Sequence, residues 1–351
     1  MSGDRKKIWI GAAALITAIA LITVGTRIAD RRMRLRELEQ QGDTGATASA
    51  AAPAVNRADV TLEGKSYRID HRTESFLFIG TDSSGNEEGE GASYYGTMAD
   101  YILLMVLDYT DDSYGCIQIN RNTMTDVDEL DGEGLTVATR ELPIFTAHWY
   151  GANKEMSAQN TVKAVSHLLG DLSAIRGYYI LNMKDIRLMN SAVGGVTLTM
   201  EEDHTDIDPA MVKGAAITLT DQQAEGFVRA RMSLREPTNE ARNLRQRQYM
   251  EQFFAQAADR SMRDPRFATK LWDTLKSSAM TNLNGNAFSR IAEMFLNGSD
   301  KGILIPEGEN RLGTALEDGE VHEQFYIDPS SLSRIMVNLY ALKPEKPEKS
   351  E

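Results

Sequence analysis

The chain has 351 residues, a formal net charge of -13 and one cysteine, so Cys116 has no partner for an internal disulfide. The acidic balance speaks against general nucleic-acid binding, which needs a basic surface. The length allows one large domain or two small ones, with ample sequence for a core.

Residues 1–36 hold eight Lys or Arg against two Asp, a balance of +6, which leaves -19 for the rest. Ile8 to Thr26 (IWIGAAALITAIALITVGT) is a run of 19 residues without a charge. At about 1.5 Å rise per residue it nearly spans a bilayer core. A cleaved signal peptide has a shorter apolar region ending in a small-x-small site. Here Arg27, Asp30, Arg31 and Arg32 follow directly. The reading is a retained transmembrane anchor over 8–28, after a short N-terminus at 1–7. Three basic residues precede the span, and Arg27, Arg31, Arg32, Arg34 and Arg36 follow it. That count alone places the large domain in the cytoplasm. Residues 29–65 read as a juxtamembrane segment and flexible spacer, with the small-residue stretch GDTGATASAAAPAV at Gly42 to Val55. The folded domain is expected over 66–342, and the Pro-Lys-Glu tail at 343–351 as disordered.

Within the domain, apolar runs predict strands at Ser75 to Gly80, Tyr101 to Leu107 and Tyr114 to Asn120. Asn160 to Leu169 has helical spacing, Gly177 to Leu181 reads as a strand, and Ile186 to Val193 reads as a helix stopped by Gly194-Gly195. Val196 to Met200 reads as a strand, and Asp221 to Met232 and Asn239 to Ala258 as helices. Further helices are expected at Lys270 to Ser277 and Ala287 to Leu296, and residues 260–340 receive no chemistry. This alternation predicts a layered αβα domain with a central mixed β-sheet.

The segment Phe227 to Gln248 holds Arg229, Arg231, Arg235, Arg242, Arg245 and Arg247 and no lysine. Arginine grips phosphate oxygens through a planar fork of paired donors. On a helix, Arg242, Arg245 and Gln246 share one face, while Arg247, Met250 and Phe254 point elsewhere. The alternative is a solvated helix, salt-bridged to Glu236 and Glu240. Asp82 closes the first strand and Asp100 precedes the second, so the two could hold one Mg²⁺. As isolated residues they are equally caps or turn formers. Arg121 follows the third strand and could clamp a phosphate, or pair at the surface with Asp126 or Asp128. The five histidines lack the spacing of a zinc site. Asp203, Asp206 and Asp208 read as a solvated turn.

Taken in order, FLFIGTDSSG, MADYILLMVLD, IQINRNTM, YYILNMKDIRLMNSAVGGVTLTM, LTDQQAEGFVRARM and NEARNLRQRQYM resemble the LytR-CpsA-Psr family over most of residues 75–255. The resemblance implies an enzyme outside the cytoplasmic membrane. Such enzymes move a glycopolymer, of teichoic acid or capsule type, from a polyprenyl diphosphate carrier to peptidoglycan, with Mg²⁺ (or Mn²⁺) assisting. It implies that Asp82 and Asp100 hold the metal and act with Arg121 in catalysis. Arg121, Arg229, Arg231, Arg242 and Gln246 would hold the diphosphate, joined by Arg245 on its helix face, and the apolar helix faces would line a slot for the lipid. On this resemblance the domain lies outside, against the charge count at the anchor. Two positions depart from the family pattern. Met98 stands where an arginine is usual, and Asn122 stands where an Asp is usual. Asn cannot act as a base. A non-catalytic binder of polyprenyl diphosphate lipids that regulates wall assembly is therefore the alternative. A third reading is a cytoplasm-facing regulator that uses the arginine helix on nucleic acid.

Overall fold

The sheet at the centre of the molecule is assembled from strands whose order in space differs from their order in the chain. The structure, a computed structural model, describes residues 59–82, 94, 96–172, 174–229, 239–264 and 266–345. The expected anchor and most of the spacer lie outside these residues. Among the described residues no helix is long and apolar enough to cross a membrane.

The first strands, β1 (Asp59–Leu62) and β2 (Lys65–Arg68), form a tight antiparallel hairpin. Its two turn residues, Glu63 and Gly64, both have positive φ, 49° and 73°. A two-residue turn matches strand twist in that conformation. The long strands follow: β3 (Thr73–Thr81), β4 (Ala99–Asp108) and β5 (Ser113–Ile119), paired antiparallel in sequence. All three are almost wholly buried, which explains their near-continuous apolar runs. A side hairpin of β6 (Met124–Leu130) and β7 (Thr136–Pro143) comes next, then a 3-10 turn at Ile144–His148. Helix α1 (Lys154–Leu168) starts at Asn153, whose side chain accepts from the Met156 amide at 3.0 Å.

Strand β8 (Ile175–Asn182) pairs parallel with β3. Helix α2 (Ile186–Ala192) leads to a small antiparallel pair, β9 (Thr197–Thr199) and β10 (Ala216–Thr218). Helices α3 (Asp221–Arg229), α4 (Asn239–Arg263) and α5 (Phe267–Lys276) follow. The rest comprises β11 (Met280–Thr281), α6 (Gly285–Asn297), β12 (Ser299–Leu304), the hairpin β13 (Gly308–Gly313) with β14 (His322–Ile327), α7 (Pro329–Leu339) and β15 (Lys343–Pro344).

The central sheet runs β11-β8-β3-β4-β5-β12. It is mixed: β8 and β12 lie parallel to their neighbours β3 and β5, and the other pairs are antiparallel. Apart from residues 285–289, the described chain belongs to one compact unit. Side-chain alternation divides each strand between two cores. Leu77, Ile79, Ile102, Leu104 and Ile117 pack with Ala164 and Val165 of α1 and Met336 and Leu339 of α7. Phe78 and Tyr179 face the other way, toward Met189 of α2 and Tyr249 of α4. The sheet thus carries helices on both faces.

The expected boundaries at 66 and 342 both cut a small sheet. Strand β2 pairs with β1 on one side and with β15 on the other. Asp59 to Leu62, placed in the spacer by the sequence, form a strand, and Lys343 and Pro344 belong to a strand rather than to the tail. Two strand hairpins, β6–β7 and β13–β14, and helix α7 were not among the expected elements.

Candidate functional site

Strand register brings the sequence candidates to one edge of the sheet. Thr81 of β3 is level with Ala99 of β4 and with Asn182 of β8, so Asp82 and Asp100 stand at adjacent strand ends. Backbone links lock them together. The Met98 amide donates to Asp82 Oδ1 at 3.1 Å, and the Asp82 amide donates to the Met98 carbonyl at 3.3 Å. Asn182 Nδ2 donates to the Asp82 carbonyl at 2.6 Å. Strand β5 ends nearby, since Ile119 is level with Ile102, and the next turn presents Arg121.

Asp100 is the hub. Its Oδ1 pairs with Arg121 Nη1, and its Oδ2 lies 3.7 Å from Arg242 Nη1. The two arginine side chains are 10% and 5% exposed, so the cluster is largely withdrawn from water. Two guanidinium groups drawn together in a low-dielectric setting suit an anionic ligand. The Arg121 guanidinium is further fixed from below. Its centre sits 4.1 Å over the Phe145 ring, and Nη2 contacts Met98 Sδ at 3.3 Å. Met98 thus packs on Arg121 where the family pattern has a third arginine. The surface pairing of Arg121 with Asp126 or Asp128 does not form, and Asp128 binds Lys163.

The other predicted arginines divide. Arg245 is 5% exposed, and its Nε donates to the Phe227 carbonyl at 2.9 Å. Gln246 Nε2 donates to the Val228 carbonyl at 3.3 Å. These two side chains satisfy carbonyls in the last turn of α3 and tie it to α4. Burial lowers the pKa of Arg245 from the ordinary arginine value, against the charge of Glu202. Arg229 is exposed and paired with Glu225, which also binds Arg187. Arg231 and Arg235 lie outside the described residues. The alternative of a solvated, salt-bridged helix does not describe the first half of α4, which faces inward. Asp208 Oδ1 and Asp203 Oδ1 each accept from a nearby amide, so the Asp203–Asp208 stretch is a turn.

Beside the clamp lies an apolar cavity of about 530 Å³ open to solvent, lined among others by Phe78, Tyr101, Met189, Val228, Gln246 and Tyr249. Met250 lines it too, one turn along α4 from Gln246, whereas helix spacing alone points it elsewhere. Gly80 borders the cavity, where a Cβ would come 3.0 Å from Tyr101 Cβ. The hydroxyls of Tyr101 and Tyr249 and Oε1 of Gln246 have no hydrogen-bond partner among the described residues. Burial raises both phenol pKa values, so the rings stay neutral.

Sequence reasoning missed three parts of this arrangement. Phe145 carried no signal, because one Phe after a hairpin looks like any core residue. Glu323 and Asn239 meet here from distant segments: Asn122 Nδ2 and Asn239 Nδ2 donate to Glu323 Oε2 at 3.0 and 2.6 Å. Residues 260–340 therefore do contribute to the site, through Glu323. Away from it, His71, Asp108 and Asp111 converge at the opposite end of β4, with His71 Nδ1 2.7 Å from Asp108 Oδ2.

The fold has solved counterparts. It resembles protein gbs0355 from Streptococcus agalactiae with a TM-score of 0.59 and 16% identity, over 79% of this chain and 91% of that one. It resembles TagV of B. subtilis with a TM-score of 0.57 and 17% identity, over 77% and 96%. It also resembles TagT bound to LIIa-WTA with a TM-score of 0.57 and 14% identity, over 86% and 96%. No curated protein matches the sequence. The LytR_cpsA_psr family model matches residues 38–314, most of the chain. The chain belongs to the LytR_cpsA_psr family.

Proposed function

We propose that this protein is a membrane-anchored phosphotransferase. It moves a glycopolymer of teichoic acid or capsule type from a polyprenyl diphosphate carrier to peptidoglycan, on the outer face of the membrane. The observation that carries this reading is the Arg121–Asp100–Arg242 clamp set beside an apolar cavity. A diphosphate on a hydrocarbon chain needs both parts: paired guanidinium forks for the anion and an apolar slot for the chain. Family membership supports the same chemistry, and one structural counterpart, TagT, is bound to LIIa-WTA.

In this reading the residues divide the labour. Arg121 and Arg242 grip the diphosphate, joined by Arg229 at the end of α3 and by Arg231, which lies outside the described residues. Arg245 and Gln246 hold α3 against α4 and so shape the cavity wall. Asp82 and Asp100 fit a Mg²⁺ ion in donor chemistry: both are hard oxygen donors on adjacent strand ends, and Mg²⁺ takes one or two carboxylates plus phosphate oxygens. When bound, the ion would neutralise charge on the phosphates. Without it, Asp100 keeps Arg121 and Arg242 from repelling each other. In the transfer step, an acceptor hydroxyl oxygen forms a bond to the phosphorus that carries the glycopolymer. The bridging P–O bond breaks, and polyprenyl phosphate leaves. Such a step needs placement and charge neutralisation rather than covalent help.

Asn122 and Met98 favour a second reading, a non-catalytic binder of the same lipids that regulates wall assembly. One experiment separates the two. The full-length chain in phospholipid vesicles is given a short synthetic polyprenyl diphosphate sugar and a peptidoglycan fragment. Release of polyprenyl phosphate that needs Mg²⁺ and disappears in Arg242→Ala supports the transferase. Binding without release supports the regulator, and absence of binding sinks both.

A further inference from the structure

The geometry points to Glu323 as the base that takes the proton from the incoming acceptor hydroxyl. This rests on the transferase reading and supplies what Asn122 cannot. Two carboxylates are held between the same pair of segments. The inner one, Asp100, bridges Arg121 on the turn after β5 and Arg242 on α4. The outer one, Glu323, bridges Asn122 on that turn and Asn239 on α4, with amide distances of 3.0 and 2.6 Å. Arg121 and Asn122 are consecutive. Asn239 and Arg242 are three residues apart, on one helix face and about 5 Å along the axis. Glu323 therefore stands about one helical turn from the point where the two arginines meet.

Its partners differ in kind from those of Asp100. Asp100 faces two cations, one at each carboxylate oxygen. Glu323 faces two neutral amides. Both donate to Oε2, and no bond among the described residues engages Oε1. A carboxylate fixed through one oxygen and open at the other is arranged as a base. The strand that carries it is pinned as well, because the Phe325 amide donates to the Asn122 carbonyl at 2.8 Å. In the step, the hydroxyl O–H bond breaks as its oxygen bonds to phosphorus. The proton passes to Glu323 Oε1, and the bridging oxygen leaves with polyprenyl phosphate.

The test uses the full-length chain in the same vesicle assay, with lipid binding measured beside turnover. Glu323→Gln keeps one acceptor for the two amides but puts a donor where Oε1 stands. The expected result is a loss of about 100-fold in kcat with KM for the lipid unchanged. Adding Asn122→Asp to that variant restores a carboxylate to the turn, and recovery of at least tenfold is expected. The proposal is overturned if Glu323→Gln keeps kcat within about threefold of wild type. It is also overturned if lipid affinity falls with kcat and Asn122→Asp rescues neither, since Glu323 would then only hold the fold together. Wild-type transfer alongside either result leaves the transferase reading standing. A wild-type chain without transfer overturns both.

Discussion

Strand β4 carries one aspartate beside its first residue and another at its last, and the two ends behave differently. Asp108, 1% exposed, takes His71 from just before β3 and the amides of Thr110 and Asp111 in the following turn at 2.9 and 3.3 Å. Asp100 takes two guanidinium groups from segments remote in sequence, and it lies beside an apolar cavity. Both are buried or nearly so carboxylates on one strand. The first is satisfied by hydrogen bonds that also shape a turn, which is a structural solution. The second draws two guanidinium groups together beside an apolar cavity, the arrangement on which the proposed diphosphate site rests. Burial of an acid is thus uninformative about function until the kind and origin of its partners are known.

Substitution at the two ends should separate these roles, with the largest effect at the site. Arg121→Ala or Arg242→Ala should lower kcat/KM for transfer about 1000-fold, as expected for loss of a charged donor to a transferring phosphoryl group. Asp108→Asn should leave kcat/KM within about threefold, yet cost about 3 kcal/mol of folding stability by denaturant titration. Equal activity losses at both ends would break the comparison.

The histidines sharpen it further. His71 pairs with a carboxylate, whereas His148 contacts the Thr161 hydroxyl at 3.1 Å. Burial drives the His148 pKa down to about 4, against the Ser157 backbone and the charge of Asp82. The unfolded chain therefore binds the proton first as pH falls below about 6.5. The contribution of His148 is complete above that pH, declines toward pH 4 and then levels, a loss of about 3 kcal/mol. Denaturant midpoints over that range should show it, and His148→Gln should flatten the slope.

The smallest effect is expected inside the cavity. Met189→Trp adds bulk where the lipid chain is proposed to lie. It should weaken binding of a long-chain polyprenyl diphosphate about tenfold, with little change for a short-chain analogue. Equal weakening of both would place the chain elsewhere.

Much of the fold is legible in the sequence, because strands buried on both faces write themselves as apolar runs. SFLFIG, YILLMVL and YGCIQIN all lie in the central sheet, and the helices at Ile186, Asp221 and Asn239 begin where their spacing places them. The side hairpins escape because β7 and β13 are mostly exposed and lack a one-sided apolar pattern. Within the site, Asp82, Asp100, Arg121 and Arg242 are legible by residue type and by position at strand ends or on a helix.

What the sequence by itself determined is this inventory: an acidic chain with a basic, apolar N-terminus, a mixed α/β core, and arginines matched to phosphate chemistry. The tertiary structure alone decided which charges meet. It placed Arg242 against Asp100, assigned Arg245 to a helix end, and brought Glu323 to Asn122, 201 positions apart in the chain. The physical reason is range. Backbone patterning is local, repeating every two or about four residues, whereas a charge finds its partner only after the sheet has closed and water has left.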